Sequence, residues 1–431
     1  MLERFFKFKE HQTSIATELS AGLSTFLTMS FIIAVNPGIL SEAGIDFAAG
    51  FIATILATIL GTLIMGLYAR WPVAVAPGMG LNAYFAFVVV LGYGLSWQQA
   101  LTAVFISSIA FFLFSITRIR SWLILSIPAE MQIAITAGIG LFLAMIGLQG
   151  AGLIIDNPDT LVGLGRLDDP QTLLALTGLI LMAALDKLGI RGNILITILG
   201  LSAVGWFTGV ASFNGLTSMP PMASAAFSLD FSALTTTAFL SVVFVMFFVD
   251  FFDTTGTLTA IAEPAGLKDK NGKIKNLDKA VLADTSASIF GSLLGTSNMT
   301  TYLESAAGLR SGGRTGFVAV TVAALFAACL FFEPLFSSIP GFATAPALIY
   351  VAIGFFGGLR QIDWTDMSIA LPVILTVFLM PLTFSIAAGI SVGFLSYVAI
   401  RILSGRAGTL SPGIMMITSF GLIWIVLQYA V

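Results

Sequence analysis

The chain has one cysteine, Cys329, and one histidine, His11, in 431 residues. A single thiol closes no intrachain disulfide, and Cys329 in its apolar surround reads as filler. With no second histidine and no paired cysteine, the usual zinc ligand sets are missing. A Ser-His-Asp system fails on the same count, because His11 lies in a polar N-terminal tail and reads as solvated. Charge is also scarce, at 10% of residues, against about 25% in a soluble domain. No basic patch of the kind nucleic acid requires is present. No G-x-x-x-x-G-K-[ST] phosphate loop occurs, so an ATP-driven pump lacks its signature. The first apolar run is long and has no small-residue cleavage site after it, so no cleavable signal peptide is read there. No cofactor is implied.

What fills the chain is apolar: 57% of residues are hydrophobic, with a mean hydropathy of +1.00. Runs long enough to cross a bilayer as helices recur at 16–35, 47–69, 99–117, 131–149, 171–188, 193–211, 238–262, 279–294, 315–332, 344–359, 366–382 and 384–403. Two shorter pieces, 73–91 and 296–310, are broken by Gly, Pro and polar residues, which makes fourteen segments. A last apolar stretch, 412–429, fits a span, an interfacial helix or a helix packed on the bundle. Basic residues test the parsing. With the N-terminus placed in the cytoplasm, all 19 Lys and Arg except Arg166 fall on the cytoplasmic side, as the positive-inside rule demands. Lys270 and Lys273, in the longest internal polar stretch (266–279), belong to that side. Removing either broken segment scrambles the pattern, so both count as crossings.

The broken segments carry most of the architectural information. PVAVAPGMG at 72–80 cannot be a regular helix, because Pro72, Pro77 and two glycines interrupt it. SNMTT at 297–301 is β-prone in the same way. Irregular backbone at membrane depth survives only when buried in protein or lining a cavity. Two such strands can pair with each other, with helices restarting near Asn82 and near Tyr302. The restarted N-termini then aim free N–H groups at one point, where acceptor atoms are favoured. Asn82 lies 222 residues before Glu304, and IPAEMQIAI at 127–135 resembles APALIYVAI 218 residues later. Similar offsets predict two related halves of seven segments. Seven is odd, so the second half is inverted, the arrangement in which paired broken helices mark a transport site. The G-x-x-x-G spacings at Gly205/Gly209, Gly354/Gly358 and Gly389/Gly393 permit close helix packing.

Three acids stand in apolar sequence with no basic neighbour. Asp250 and Asp253 lie in LSVVFVMFFVDFFDTTGTLTAIA, and Glu304 lies in GTSNMTTYLESAAG. A carboxylate at membrane depth marks a substrate or proton path by default. Asp250 and Asp253 are three apart and share a helix face, followed by Thr254, Thr255 and Thr257. Asn82, which also reads as a helix cap, is the counterpart of Glu304 in the first half. A heteroaromatic ring with N–H donors and carbonyl or ring-nitrogen acceptors suits this set, and one carboxylate can carry a coupling proton. Glu18, Glu130, Asp186, Glu263, Asp284 and Asp366 read instead as helix-end acids paired with Arg or Lys.

At these residues the chain resembles a known family. FKFKEHQTSIATELSAGLSTFLTMSFIIAVNPGIL, APGMGLNAYFAFVV, DFFDTTGTL, GTSNMTTYLESAAG and GGRTG are similar to the AzgA-like purine permeases of the nucleobase–ascorbate transporter superfamily. The resemblance runs almost end to end. It implies an all-α polytopic membrane protein of fourteen segments in two inverted seven-segment repeats, with extended strands in the two broken segments. It implies a core domain, 1–117 and 238–332, and a gate domain, 118–237 and 333–431 with the C-terminal apolar segment. It also implies proton-coupled import of adenine, guanine or hypoxanthine across the inner membrane, and a homodimer by analogy with relatives. Substrate contacts carried over are Asn82, Asp250, Asp253 and Glu304, with backbone amides near Tyr302 and Leu303. Uracil-type relatives have a His where this chain has Thr257, so proton handling falls to Asp250 or Asp253. Alignment on the GTL end places Asp253 against the base. The rival readings are an anion transporter of the same architecture, a Na+-coupled nucleobase transporter and an intramembrane enzyme. Three acids without a membrane-embedded cation argue against the anion.

Overall fold

The computed structural model describes residues 2–117, 126–262, 265–268 and 274–429. Arg118, Arg120, Glu263, Lys270 and Lys273 lie outside the described residues. The chain is a bundle of helices interrupted by two short strands at its centre. Helix α1 (Leu2–Phe6) precedes a first crossing made of α2 (Ile15–Met29) and α3 (Ile32–Glu42). Helix α4 (Phe47–Ile64) runs into a wide turn, and β1 (Val75–Pro77) leads to α5 (Met79–Ala83) and a π-type stretch to Val90. Then come α6 (Trp97–Ile116), α7 (Ala129–Gly150), a hairpin of β2 (Ile154–Asn157) and β3 (Leu161–Leu164), α8 (Pro170–Lys187) and α9 (Asn193–Thr208). The second half has α10 (Thr237–Ala262), α11 (Leu277–Leu294), β4 (Met299–Thr301), α12 (Ser305–Arg310), α13 (Phe317–Cys329) and the one-turn α14 (Glu333–Ser337). It ends with α15 (Gly341–Phe355), α16 (Met367–Leu382), α17 (Ile386–Leu403) and α18 (Pro412–Tyr429). Among the described residues, 8 helices are long and apolar enough to cross a membrane, and shorter apolar helices lie between them. The stretch 412–429 is one continuous helix packed along α17. The β2–β3 hairpin was not legible in the sequence.

Both broken segments contain the expected strands, and β1 pairs antiparallel with β4 through Val75–Thr301, Ala76–Thr300 and Pro77–Met299. The pair is flanked by bonds from Tyr302 N–H to Ala74 O (3.0 Å) and from Gly78 N–H to Asn298 O (2.9 Å). These two bonds interchange if Ala74 corresponds to Asn298 and Gly78 to Tyr302, an offset of 224 residues. The edges of the pair are closed by one side chain from each half. Thr62 of α4 donates to Val75 O (2.9 Å) and accepts from Val75 N–H (3.0 Å). Ser288 of α11 donates to Met299 O (2.9 Å) and accepts from Met299 N–H (3.0 Å). All four backbone groups would otherwise be orphaned, a cost that buried backbone avoids.

This pairing corrects two details. With the 224 offset of these bonds, Glu304 falls opposite Gly80 and not Asn82, two residues from the offset of 222. The helices restart at Met79 and Ser305, three residues before Asn82 and three after Tyr302, with Gly78 and Glu304 at the cap positions. The 218 offset also shifts: Pro128 and Pro340, not Pro346, each stand just before a helix. Packing partners interchange between halves as well. Helix α6 packs on α11 and α10, while α13 packs on α4 and α2; α7 packs on α15, which also holds α8, while α7 also holds α16. Of the G-x-x-x-G spacings, only Gly389 and Gly393 both press on a helix, at Thr376 and Met380 of α16. A side chain on Gly209 or Gly354 would meet open space.

The clamps generate a prediction. Thr62→Val removes the partner of both Val75 backbone groups, and Ser288→Ala does the same at Met299. Each buried group left unpaired costs about 1–3 kcal/mol. Thermal unfolding of the detergent-purified protein is expected to fall for both variants, and Thr62→Ser is expected to retain the parent midpoint. A parent-like midpoint for Thr62→Val would contradict the clamp.

Candidate functional site

A cavity of about 580 Å³ opens against the strand pair. One wall comes from α2, α5, α10, β4 and α12, and the other from α7, α8, α9 and α15. The sequence-derived residues divide into two layers here. Asp253, Tyr302, Leu303 and Glu304 line the cavity, with Thr257 and Thr300 beside them. Asp250 and Asn82 do not line it, and both are buried behind the wall.

In the cavity layer, Asp253 is half-buried and accepts a hydrogen bond from the Thr300 hydroxyl (2.8 Å). Glu304 is half-buried at the start of α12, and its carbonyl accepts from Thr28 (3.3 Å). The Tyr302 hydroxyl donates to Pro77 O (2.6 Å), and its own amide is taken by Ala74 O. The Tyr302 amide is therefore closed to a ligand. The Leu303 amide has no backbone acceptor among the described residues, while the Glu304 amide meets its own carboxylate, so the free donor sits one residue further on. Two carboxylates and the Leu303 amide at a helix start offer acceptors and a donor to one planar polar molecule. The charged residues that line the cavity are Asp186, Asp253, Glu304 and Arg310, with Arg310 one turn and more away from Glu304 along α12.

Behind the wall, polar side chains bind one another. Asn298 donates to Asp250 (3.1 Å). Thr254 donates to Asp284 (2.6 Å), with Asp250 at 3.5 Å on its other side, and Thr301 donates to the second oxygen of Asp284 (2.8 Å). Asn82 donates to Asn36 (2.8 Å), which donates in turn to Thr54 (2.7 Å) and Thr296 (2.9 Å). The side-chain oxygens of Asn82 and Asn298 have no protein partner. Asn82 is therefore a member of a buried amide chain and not a cap.

Asp284 was misread from sequence. It is 0% exposed in the middle of α11 and bonded to two threonines. Lys279 and Asp278 nearby gave it the look of a helix-end acid. The signal that could have found it is the run of small residues around it, Ala280, Ala283, Thr285, Ala287 and Ser288, all buried. The other acids in that group also differ from expectation. Glu18 is buried and accepts from the backbone of Arg314 (2.9 Å) and Thr315 (3.2 Å) and from the Thr315 hydroxyl (2.7 Å). It closes the GGRTG turn and is not in an ion pair. Asp366 caps α16 through Ser368 N–H (2.8 Å), and Asp186 lines the cavity. None of Glu18, Glu130, Asp186, Asp284 and Asp366 forms an ion pair among the described residues, where the pairs include Lys7–Glu10, Lys9–Glu3 and Arg166–Asp168. In the last of these, the Arg166 guanidinium holds the exposed Asp168 carboxyl below its ordinary value.

The geometry can be set beside known proteins. A sequence family described as a permease family matches residues 16–392. The chain belongs to that family. It is a multi-pass membrane permease and not an enzyme. A putative permease of Methanocaldococcus jannaschii is 47% identical over 407 residues, 94% of this chain and 93% of that protein. The adenine permease AdeP of Escherichia coli is 42% identical over 418 residues, 97% and 94% of the two chains. The guanine/hypoxanthine permease PbuO of Bacillus subtilis is 42% identical over 416 residues, 94% and 96% of the two chains. The resemblance to the purine permeases thus holds over nearly the whole chain. Among solved structures, the transmembrane domain of the cyanobacterial bicarbonate transporter BicA superposes with a TM-score of 0.65 at 16% identity, covering 86% of this chain and 96% of that one. The SLC26A9 structure gives 0.65 at 10% identity, covering 92% and 67%. These likenesses show the same fold.

The two layers can be told apart chemically. In a Cys329→Ala background, cysteine at Asp253, Leu303 or Glu304 is expected to react with a water-soluble thiol reagent. Cysteine at Asp250 or Asn82 is expected to react about ten-fold or more slowly, because the reaction needs an exposed thiolate. Labelling at Asp250 as fast as at Asp253 would contradict the layering.

Proposed function

We propose that this chain is a secondary transporter that imports purine nucleobases, hypoxanthine, guanine or adenine, together with protons. The observation that carries the reading is the pairing of Asp253 and Glu304 with the free Leu303 amide in one cavity, at the crossing of two broken helices. A purine edge offers ring N–H donors and carbonyl or ring-nitrogen acceptors in one plane. The carboxylates accept the N–H groups, and the Leu303 amide serves an acceptor. Relatives named adenine permease and guanine/hypoxanthine permease support the substrate class. In this reading Asp253 meets the base, and Asp250, joined through Thr254 to Asp284, carries or passes the proton. Asn82 and Asn36 hold the first broken segment against the second.

The core domain in this proposal is 1–117 with 238–332, and the gate is 118–237 with 333–431. The base binds between them, and the core moves against the gate to expose it to either side. The N-terminus, Arg310, Lys187 and Arg191 face the cytoplasm, by the positive-inside rule. Asp250, Asp253, Asp284 and Glu304 have no basic partner at depth, so a bound proton is their means of charge compensation during movement.

The test is uptake of radiolabelled hypoxanthine by cells or proteoliposomes containing the full chain, with unlabelled bases as competitors. Uptake is expected to rise as external pH falls, to collapse with a protonophore and to ignore replacement of Na+. Uptake that follows the Na+ gradient and ignores the proton gradient would overturn proton coupling. No uptake of any purine would overturn the substrate class.

A further inference from the structure

The end of the cavity away from the strand crossing is lined by Ala307 and Arg310 on one wall and by Ala183, Asp186, Asn193 and Tyr350 on the other. Arg310 is the last residue of α12, the helix that begins at Glu304. Asp186 is the penultimate residue of α8. Both are exposed. Asp186 faces the Tyr350 hydroxyl on its own wall, and Arg310 makes no hydrogen bond or ion pair with any described residue. Opposite charges therefore face one cavity from opposite walls without meeting.

The same end is already bridged along another edge. Arg191, in the turn between α8 and α9, donates to the Ser24 hydroxyl of α2 (3.1 Å), and Ser24 also meets the Ser311 hydroxyl (3.1 Å). Next to Arg191, Gly192 adopts a left-handed conformation with φ of 75°, and a Cβ there would lie 3.3 Å from Leu27. One edge of the mouth is thus pinned, while the edge bearing Asp186 and Arg310 is open.

We propose that Asp186 and Arg310 form an ion pair across the mouth when this end of the cavity shuts, and that the pair stabilises the shut conformation. The proposal rests on the transporter reading only in requiring that the two walls move. Its magnitude suits a cyclic step. An exposed ion pair is worth about 0.2–1 kcal/mol, which shifts a two-state population severalfold without locking it. A fully buried pair would bring a large desolvation cost to every cycle. Glu304 is the competing partner for Arg310, since both stand on one helix, and it is separated from Asp186 by a charge exchange.

The experiment places a single cysteine at Ala307 in a Cys329→Ala background and measures its labelling by an impermeant thiol reagent from the side of the mouth. Arg310→Gln and Asp186→Asn are each expected to speed labelling by about two- to five-fold, the range an exposed pair supports. Arg310→Asp should do the same or more. The double exchange Asp186→Arg with Arg310→Asp should return the rate to that of the parent cysteine protein. Single variants with unchanged labelling, or a double exchange no closer to the parent than the singles, would overturn the pair. Rescue by Glu304→Arg with Arg310→Asp in place of the Asp186 exchange would also overturn it. The labelling needs no substrate, so the outcome is independent of purine uptake. If labelling follows the expected pattern in a protein that takes up no purine, the ion pair stands and the substrate reading falls. If purine uptake is present and labelling is unmoved, the reverse holds.

Discussion

The constraint on which the structure depends is that extended backbone and uncompensated carboxylates share the middle of a membrane protein. Each needs partners that water cannot supply. The strand pair solves both problems at once. Its backbone is closed by β1, β4, Thr62 and Ser288. Its side chains and flanks then face the acids: Asn298 meets Asp250, Thr300 meets Asp253 and Thr301 meets Asp284. Three carboxylates from two helices are held by three residues within four consecutive positions of one chain segment. Any change of charge at one acid is felt by the segment that leads directly into Glu304.

That arrangement gives the site its depth. Strand side chains alternate between faces, so adjacent Thr300 and Thr301 reach different acids. Thr300, Thr301 and Asp253 stand at the cavity, while Asp284, which Thr301 reaches through its hydroxyl, belongs to the buried layer. The buried layer is polar without being open, and its asparagines run from Asn82 through Asn36 to Thr296 beside the second strand. One strand thereby carries bonds to a carboxylate at the cavity, Asp253, and to one behind its wall, Asp284.

Much of this was legible because the physics is local. Run length marked the helices, Pro72 and Pro77 marked the break, and apolar flanks marked Asp250, Asp253 and Glu304. Pairing of the two strands followed from the cost of unmet backbone at depth. What was not legible depends on how elements turn toward one another. Positions three apart on α10 share a face, yet one aspartate reaches the cavity and the other the buried layer, and only the rotation of the helix decides which. Asp284 was hidden by polar neighbours at a helix start. The offset was misjudged by two residues because the side chains that matched, Asn82 and Glu304, are less constrained than the backbone bonds that set the correspondence. The β2–β3 hairpin lies in a connecting segment with no clear alternation of apolar and polar residues.

The central claim is that Glu304, at the start of the second restarted helix, holds the substrate through a charged acceptor in the cavity. Equilibrium binding of hypoxanthine to the purified full chain, compared with Glu304→Gln, tests it most directly. Glutamine keeps the shape and removes the charge. Loss of a charge-assisted hydrogen bond of about 1.5–3 kcal/mol weakens binding roughly 10- to 150-fold. That loss, with an unchanged thermal midpoint, is the expected result. Parent-like affinity of the glutamine variant for hypoxanthine, guanine and adenine would contradict the account.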